Sequence, residues 1–330
     1  MRKVRLPDPE EPLLDIISLA RRGPNGRLSP EEISLVVRTL RRTPEVMVKV
    51  SGGAKSSAGA LAHLKYIDRR GELELETDEG VKLKGRDSER SVVEDWELDV
   101  LAARSRSPYR GTAGRKPYKL LHNIVLSMPA GTSPERLLAA SRNFAREEFA
   151  LKHRYLMVLH TDQQHPHVHL VVKAVSEEGR RLNIRKATLR GWRRDFATQL
   201  RAQGIAANAT ERAVRGQVRP PVSDGIFRLA ERGDLRRRPG GSASLDSLTG
   251  GAGTAERRNT ATLQETRRKV VEAWGIISTQ MLNAGHPLAE EVWQFIGRMP
   301  KPRTEQAVLR NISETRLDKE RQLERDAPTR

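Results

Sequence analysis

The sequence contains no cysteine among its 330 residues, few aromatic side chains and no long apolar segment. The lack of cysteine excludes disulfides, thiolate zinc sites and a cysteine nucleophile, and it favours a reducing, cytoplasmic compartment. Hydrophobic residues make up 37% of the chain and aromatic residues 4%, so the core is aliphatic and does not extend over the whole length. No stretch approaches the roughly 18–20 apolar residues of a membrane span. We therefore expect a cytoplasmic protein without membrane insertion.

The chain is strongly basic, with 60 Lys plus Arg against 42 Asp plus Glu and a formal net charge of +18. Half of this excess lies between Arg180 and Arg219, a segment with eleven basic residues and only two acidic ones, Asp195 and Glu211. A solvated helix face usually mixes its signs, whereas this stretch predicts contact with a nucleic-acid backbone. The candidate DNA-binding residues are Arg180, Arg181, Arg185, Lys186, Arg190, Arg193 and Arg194.

The hydrophobic pattern predicts an α+β fold, an antiparallel sheet with flanking helices, because no regular βαβ repeat is present. Strands are predicted at 46–50, 122–128, 154–160 and 166–175, with a hairpin near 73–83. Helices are predicted at 29–40, 57–68, 89–103, 133–150 and 188–203. The predicted domains are a helical N-terminal arm at 1–44, the α+β domain at 45–219, a flexible linker at 220–254 and a helical, charged C-terminal region at 255–330.

Four of the eight histidines fall within the ten residues 160–169. His167 and His169 are two apart on a predicted strand, so both imidazoles point to the same face of the sheet. A short hairpin brings His160 opposite them, and Asp162 is placed to orient a ligand histidine or to accept a proton. Three converging imidazoles with open positions are typical of a divalent metal site, on affinity alone for Mn²⁺ or Zn²⁺. The alternative is an ordinary histidine-rich turn, and the role of His165 stays open.

The arrangement His-x-Asp-x-x-His-Pro-His-x-His resembles the metal-binding motif of the HUH endonucleases, and within them that of the P-type conjugative relaxases. The segment from Leu61 to Leu75 is similar to the nucleophile segment of the T-DNA border endonucleases, which are relaxases. Residues 124–132 and 212–216 resemble two further segments of the family in the same order. The resemblance covers about residues 46–218.

This resemblance implies a metal-dependent DNA relaxase that nicks one strand at a transfer origin through a tyrosine nucleophile, here Tyr66. The residues alone leave open that Tyr66 packs in the core. The resemblance also implies Mg²⁺ or Mn²⁺ on His160, His167 and His169, and a 5′-phosphotyrosyl intermediate that allows strands to be rejoined. The implied partners are single-stranded DNA at the nick site, an accessory relaxosome DNA-binding protein and the coupling protein of a secretion channel, for which the charged segment 316–330 is a candidate contact.

The sequence departs from the family at one position on the central strand, and two alternative functions stay open. The family often has a histidine on the central strand six residues before the turn proline, where this chain has Asn123; no role is carried to the neighbouring His122. One alternative function is an HUH-type initiator of rolling-circle replication, although the segment after 255 is too short for a helicase. Another is a non-catalytic DNA-binding protein in which the histidine cluster is structural.

Overall fold

The computed structural model describes residues 16–106, 118–217 and 254–301, and a few positions between 311 and 322. The predicted linker lies outside the described residues up to 253, as does most of the charged C-terminal segment. Among the described residues, one compact unit comprises 41–209, and a second comprises 16–40 together with 210–217 and 254–301. The domain boundaries given above stay predictions.

A six-stranded sheet forms the centre of the first unit, with neighbouring strands paired antiparallel. Its strand order is β1-β4-β6-β5-β2-β3, so β6 and β5 lie in the middle and β1 and β3 at the edges. The predicted α+β class with an antiparallel sheet is thereby confirmed. The strands are β1 Met47–Gly52, β2 Leu75–Thr77, β3 Lys82–Leu83, β4 Leu121–Ser127, β5 Tyr155–His160 and β6 His167–Lys173.

The helices agree with the predicted ones in nearly every case, apart from a short first helix that the pattern did not predict. The single helix predicted near 89–103 is two helices, because the backbone turns at Glu97, whose φ is 48°. The helices are α1 Ile16–Ala20, α2 Pro30–Leu40, α3 Ser57–Ile67, α4 Ser88–Asp95, α5 Leu98–Arg106, α6 Pro134–Phe149, α7 Lys186–Ala202, α8 Thr254–Asn283 and α9 Leu288–Gly297.

The two faces of the sheet contact different helices, because successive side chains of a strand point to opposite sides. On one face, Leu170 and Val172 of β6 pack with α6 and α7. On the other face, Val171 of β6 and Val158 of β5 pack with α3, α4 and α5. We call these the α6/α7 face and the α3 face. The distinction matters below because the candidate site lies on only one of them.

The second unit is a helical cluster in which α8 packs against α1 and α9. Trp274 of α8 is fully buried, and its indole Nε1 donates a hydrogen bond to the carbonyl of Val214 at 2.9 Å. The predicted helical extensions at both ends of the chain are confirmed for the described residues. No helix in those parts of the chain has the length and apolar character needed to cross a membrane.

Phe144 of α6 anchors the α6/α7 core, since it is fully buried and its ring lies 5.8 Å from that of Phe196 and 6.4 Å from that of Trp192. We predict that Phe144→Ala lowers the free energy of unfolding by about 3–5 kcal/mol, because the truncation leaves a cavity in an aromatic cluster. Urea denaturation monitored by circular dichroism measures this change. Leu151→Ala, at a fully exposed position, is the matched control and is expected to change it by less than about 0.5 kcal/mol.

Candidate active site and metal centre

The pairing of β5 with β6 brings the three predicted ligand histidines together on the α3 face. His160 pairs directly with His167, and His169 follows two residues later on the same side of β6. The ring of His160 lies 4.5 Å from that of His169 and 5.0 Å from that of His167, measured between centroids. The sequence therefore predicted correctly which histidines converge.

Each of these histidines offers one ring nitrogen to a common point, and the three atoms lie within 4.8 Å of one another. All three side chains are buried, with 1% of His160 and 8% of His167 and His169 exposed. Buried imidazoles at this spacing are a suitable donor set for a divalent cation, because three ligands leave coordination positions open for a substrate.

The other ring nitrogen of each histidine already has a hydrogen-bond partner. His160 Nε2 lies 2.6 Å from the carbonyl of Ile67, at the end of α3, and His167 Nδ1 lies 3.1 Å from the carbonyl of His165. His169 Nδ1 contacts the side-chain amide of Asn123. Such contacts fix the orientation of the three rings. The second nitrogen of His160, Nδ1, is in addition near the guanidinium of Arg69.

Burial keeps His160 and His169 neutral, which is the protonation state that a metal requires. Desolvation, and then the neighbouring His160 and His167, lower the pKa of His169 to about 3. Burial also lowers the pKa of His160, although its hydrogen bond to the Ile67 carbonyl opposes that effect. At neutral pH both imidazoles therefore keep a lone pair for coordination.

Asp162 lies beside the cluster, and its carboxylate is bound to Arg69. Arg69 Nη2 is 2.5 Å from Asp162 Oδ2 and 3.4 Å from His160 Nδ1, while Asp162 Oδ1 is 3.8 Å from that nitrogen. The hydrogen bond from Arg69 lowers the pKa of Asp162, so the carboxylate stays ionised and is a weaker base than an ordinary aspartate. Of its two predicted roles, this geometry favours orientation of neighbouring groups.

Tyr66 is on α3, directly before Ile67, whose carbonyl contacts His160. Its side chain is 62% exposed, so it does not pack in the core. The guanidinium of Arg69 lies 5.4 Å from the centre of the Tyr66 ring. The phenol is therefore open to solvent on the helix whose last residue contacts a candidate ligand histidine.

Arg69 is the residue that sequence reasoning missed. It contacts Tyr66, His160 and Asp162, yet in the sequence it belongs to an Arg-Arg-Gly segment that only marks the end of a helix. Its backbone is left-handed, with φ at 55°, and Arg70 and Gly71 continue this turn at 59° and 88°. A Cβ at Gly71 would meet the carbonyl oxygen of Gly85 at 2.6 Å, so the turn requires glycine there.

The predicted DNA-binding residues are not next to the metal ligands. Arg180 and Arg181 follow the end of β6, which is Lys173, whereas His167 is at the start of that strand. The six residues from His167 to Lys173 span roughly 20 Å. The other candidates lie on or next to α7, which packs on the α6/α7 face and not on the α3 face.

His122 and His165 do not join the cluster. His122 alternates with Asn123 on β4 and so points to the α6/α7 face; burial, and then Lys119 and Arg181, lower its pKa to about 4. His165 is exposed in the loop between β5 and β6 and contributes only its backbone carbonyl to His167. Neither imidazole is among the ligand atoms that converge.

Comparison with known proteins agrees with the resemblance inferred from the sequence. The family model described as the nuclease domain of MobA/VirD2-like relaxases matches residues 82–205. The T-DNA border endonuclease VirD2 of Agrobacterium fabrum is 28% identical over 213 residues, which are 58% of this chain and 45% of that protein. The VirD2 protein of Rhizobium rhizogenes is 28% identical over 215 residues, or 57% of this chain and 45% of its own length.

A solved structure described as "Molecular Basis of Vancomycin Resistance Transfer in Staphylococcus aureus" aligns with 51% of this chain and 99% of its own. Its sequence identity is 10% and its TM-score 0.33, too low to support an argument about the fold. The chain spans about half the length of the curated relatives. The family match includes the three ligand histidines, whereas Tyr66 lies before its first residue.

The histidine cluster predicts one metal site per chain. We expect His169→Ala and His167→Ala to lose Mn²⁺ binding by at least about tenfold in affinity, because each removes one of three ligand nitrogens. Electron paramagnetic resonance of free Mn²⁺ during titration measures the affinity. His165→Ala, in the loop directly before β6, is the matched control and is expected to bind as the wild type does; equal loss in this control would contradict the assignment.

Proposed function

Because residues 82–205 match the family model for the nuclease domain of MobA/VirD2-like relaxases, we propose that the protein nicks one strand of DNA at a transfer origin and can rejoin it. The observation that carries the proposal is the contact of α3, which bears Tyr66, with the histidine cluster. The His160 Nε2 is 2.6 Å from the Ile67 carbonyl, so the candidate nucleophile and the candidate metal ligands belong to one site.

Tyr66 is the proposed nucleophile. Its phenolic oxygen attacks the phosphorus of the scissile phosphodiester, a bond from phosphorus to the tyrosine oxygen forms, and the bond to the 3′-oxygen breaks. The phenolic proton leaves Tyr66, and the departing 3′-oxygen takes up a proton. One ester replaces another, so the reverse reaction can rejoin strands without ATP.

The proposed metal ligands are His160, His167 and His169, and the family implies Mg²⁺ or Mn²⁺. A bound cation would neutralise the negative charge that develops on the phosphoryl oxygens. The protein's own contribution is to fix the ring orientations and to exclude water from the ligand side. Arg69 adds a second positive charge beside the phosphate position, and Asp162 holds that guanidinium in place.

The substrate is proposed to be single-stranded DNA, because an in-line attack needs an unpaired, bent backbone. The basic residues of α7 and the segment before it are proposed to bind the phosphates farther from the nick. An accessory relaxosome protein and a secretion coupling protein remain proposed partners, with residues 316–330 as the candidate contact. A rolling-circle initiator would use the same chemistry at a replication origin, so the choice of substrate separates the two functions.

Tyr66→Phe tests the nucleophile. We expect wild-type protein incubated with Mn²⁺ and a labelled single-stranded oligonucleotide containing the transfer origin to form a covalent adduct on a denaturing gel. The adduct is expected to vanish in Tyr66→Phe and in the presence of chelator, because the hydroxyl and the metal are both required.

Tyr155→Phe is the control for a general effect of removing a phenol and should keep the adduct. Persistence of the adduct in Tyr66→Phe would refute the assignment of the nucleophile. Tight, metal-independent DNA binding without any adduct would favour the non-catalytic binding protein.

The proposed phosphate contacts of α7 are tested by salt dependence. In the double variant Lys186→Gln, Arg193→Gln we expect weaker binding of single-stranded DNA and a slope of log K against log salt that is smaller by about 1–2 units. Fluorescence anisotropy at NaCl concentrations from about 50 to about 300 mM measures the affinity and its salt slope. Lys82→Gln, on β3, serves as the control and should leave the slope unchanged. An unchanged slope in the double variant would exclude these two contacts.

A further inference from the structure

Asn123 is a buried amide at the centre of the candidate site. It lies on β4 between β1 and β6, is 3% exposed, and points to the same face of the sheet as the ligand histidines. Most buried side chains around it on this face are aliphatic. Burial of an amide is costly unless its hydrogen bonds are satisfied, so the partners of Asn123 need to be identified.

Two neighbouring strands supply the closest partners, and a hydrogen bond between Asn123 and His63 of α3 opposes the lowering of the His63 pKa by burial. Asn123 Nδ2 is 2.6 Å from Ser51 Oγ on β1, and the Ser51 hydroxyl lies 3.5 Å from the backbone carbonyl of Asn123. On the other side, His169 Nδ1 is 3.3 Å from Asn123 Oδ1 and 3.2 Å from Asn123 Nδ2. The amide thus connects the edge strand β1 to a metal ligand.

The direction of the bond between Asn123 and His169 decides whether His169 can bind a metal through Nε2. If Oδ1 accepts the Nδ1 proton, Nε2 keeps its lone pair and faces the other two ligands. If Nδ2 instead donates to Nδ1, the single proton of the neutral imidazole lies on Nε2 and blocks that atom. The two arrangements have similar distances, so chemistry has to distinguish them.

Ser51 favours the first arrangement. Its hydroxyl oxygen accepts a hydrogen bond from Asn123 Nδ2 at 2.6 Å, which holds the Nδ2 end of the amide on the side of β1. The Oδ1 end is the only acceptor of the amide side chain, and a buried acceptor needs a donor. His169 Nδ1, at 3.3 Å, supplies one when it carries the proton.

We propose that Asn123 is a positioning residue: held by Ser51, it accepts the Nδ1 proton of His169 and so prepares Nε2 of that histidine for the metal. This inference rests on the metal site of the proposed function. It also gives a physical role to the position where the sequence departs from the resembled family, which often has a histidine there. Asn123 itself touches neither substrate nor metal in this role.

The substitution series follows from the chemistry of the amide. Asn123→Asp keeps an acceptor next to His169 and cannot donate, so it fixes the same tautomer. Asn123→Leu has a similar volume and removes both polar groups. Asn208→Leu is the matched control, since Asn208 is likewise a buried asparagine of the first unit, with 1% exposed, but is bound to Glu45 near the start of β1.

The first measurement is the tautomer of His169 in the full-length protein without metal, read from long-range ¹H–¹⁵N correlation spectra of the imidazoles. We expect the proton on Nδ1 in the wild type, Asn123→Asp and Asn208→Leu, and a mixture with substantial Nε2–H in Asn123→Leu. A His169 that carries its proton on Nε2 in the wild type would overturn the inference.

The second measurement is Mn²⁺ affinity in the absence of DNA. We expect Asn123→Leu to bind Mn²⁺ about 10- to 100-fold more weakly than the wild type. The affinities of Asn123→Asp and Asn208→Leu should be no more than about threefold weaker than that of the wild type, which is the usual scatter of such substitutions. Ser51→Ala should fall between, because the amide is then less firmly held. Wild-type affinity in Asn123→Leu would also overturn the inference.

These readouts separate the inference from the proposed function. If the tautomer and Mn²⁺ results are as expected but no covalent DNA adduct forms, the relaxase chemistry fails and the role of Asn123 stands. If the adduct forms through Tyr66 but the tautomer of His169 does not depend on Asn123, the function stands and the inference fails.

Discussion

The antiparallel pairing of β5 with β6 places His160 opposite His167, and every other feature of the candidate site depends on that register. A shift of one residue would turn one strand over, because side chains alternate between faces, and would send its imidazole into the aliphatic α6/α7 core. The aliphatic residues between the histidines hold the register: Leu159, Val168 and Leu170 pack with the α6/α7 core. The metal site is thus specified by the same alternation that builds the core.

The end of α3 connects Tyr66 and Arg69 to the histidine cluster. The Ile67 carbonyl contacts His160, and the left-handed turn that follows directs Arg69 back to Asp162. Helix ends leave carbonyls without intrahelical donors, and here one of them fixes a ligand histidine. The backbone next to Tyr66 is therefore fixed relative to the candidate ligand His160.

Much of this arrangement was predictable, and the exceptions have physical reasons. Two apolar strand patterns on either side of a six-residue polar loop predicted the hairpin that pairs His160 with His167. Arg69 was not predicted, because its role arises from a turn whose partners lie 91 and 93 residues away in the chain. The sequence predicts a basic segment at Arg180–Arg194, but charge alone does not say which face of the sheet carries it. The α7 pattern of Trp192 and Phe196 determines that, by packing on the side away from the histidines.

The most direct test of the account is to identify the amino acid that becomes bound to DNA. The covalent adduct of the wild-type protein, formed with Mn²⁺ on a single-stranded transfer-origin oligonucleotide, would be digested with protease and nuclease and sequenced by mass spectrometry. The account predicts a nucleotide phosphate on the peptide that contains Tyr66. Modification of Tyr109, Tyr118 or Tyr155 instead would contradict it, because none of these tyrosines belongs to the helix that contacts His160.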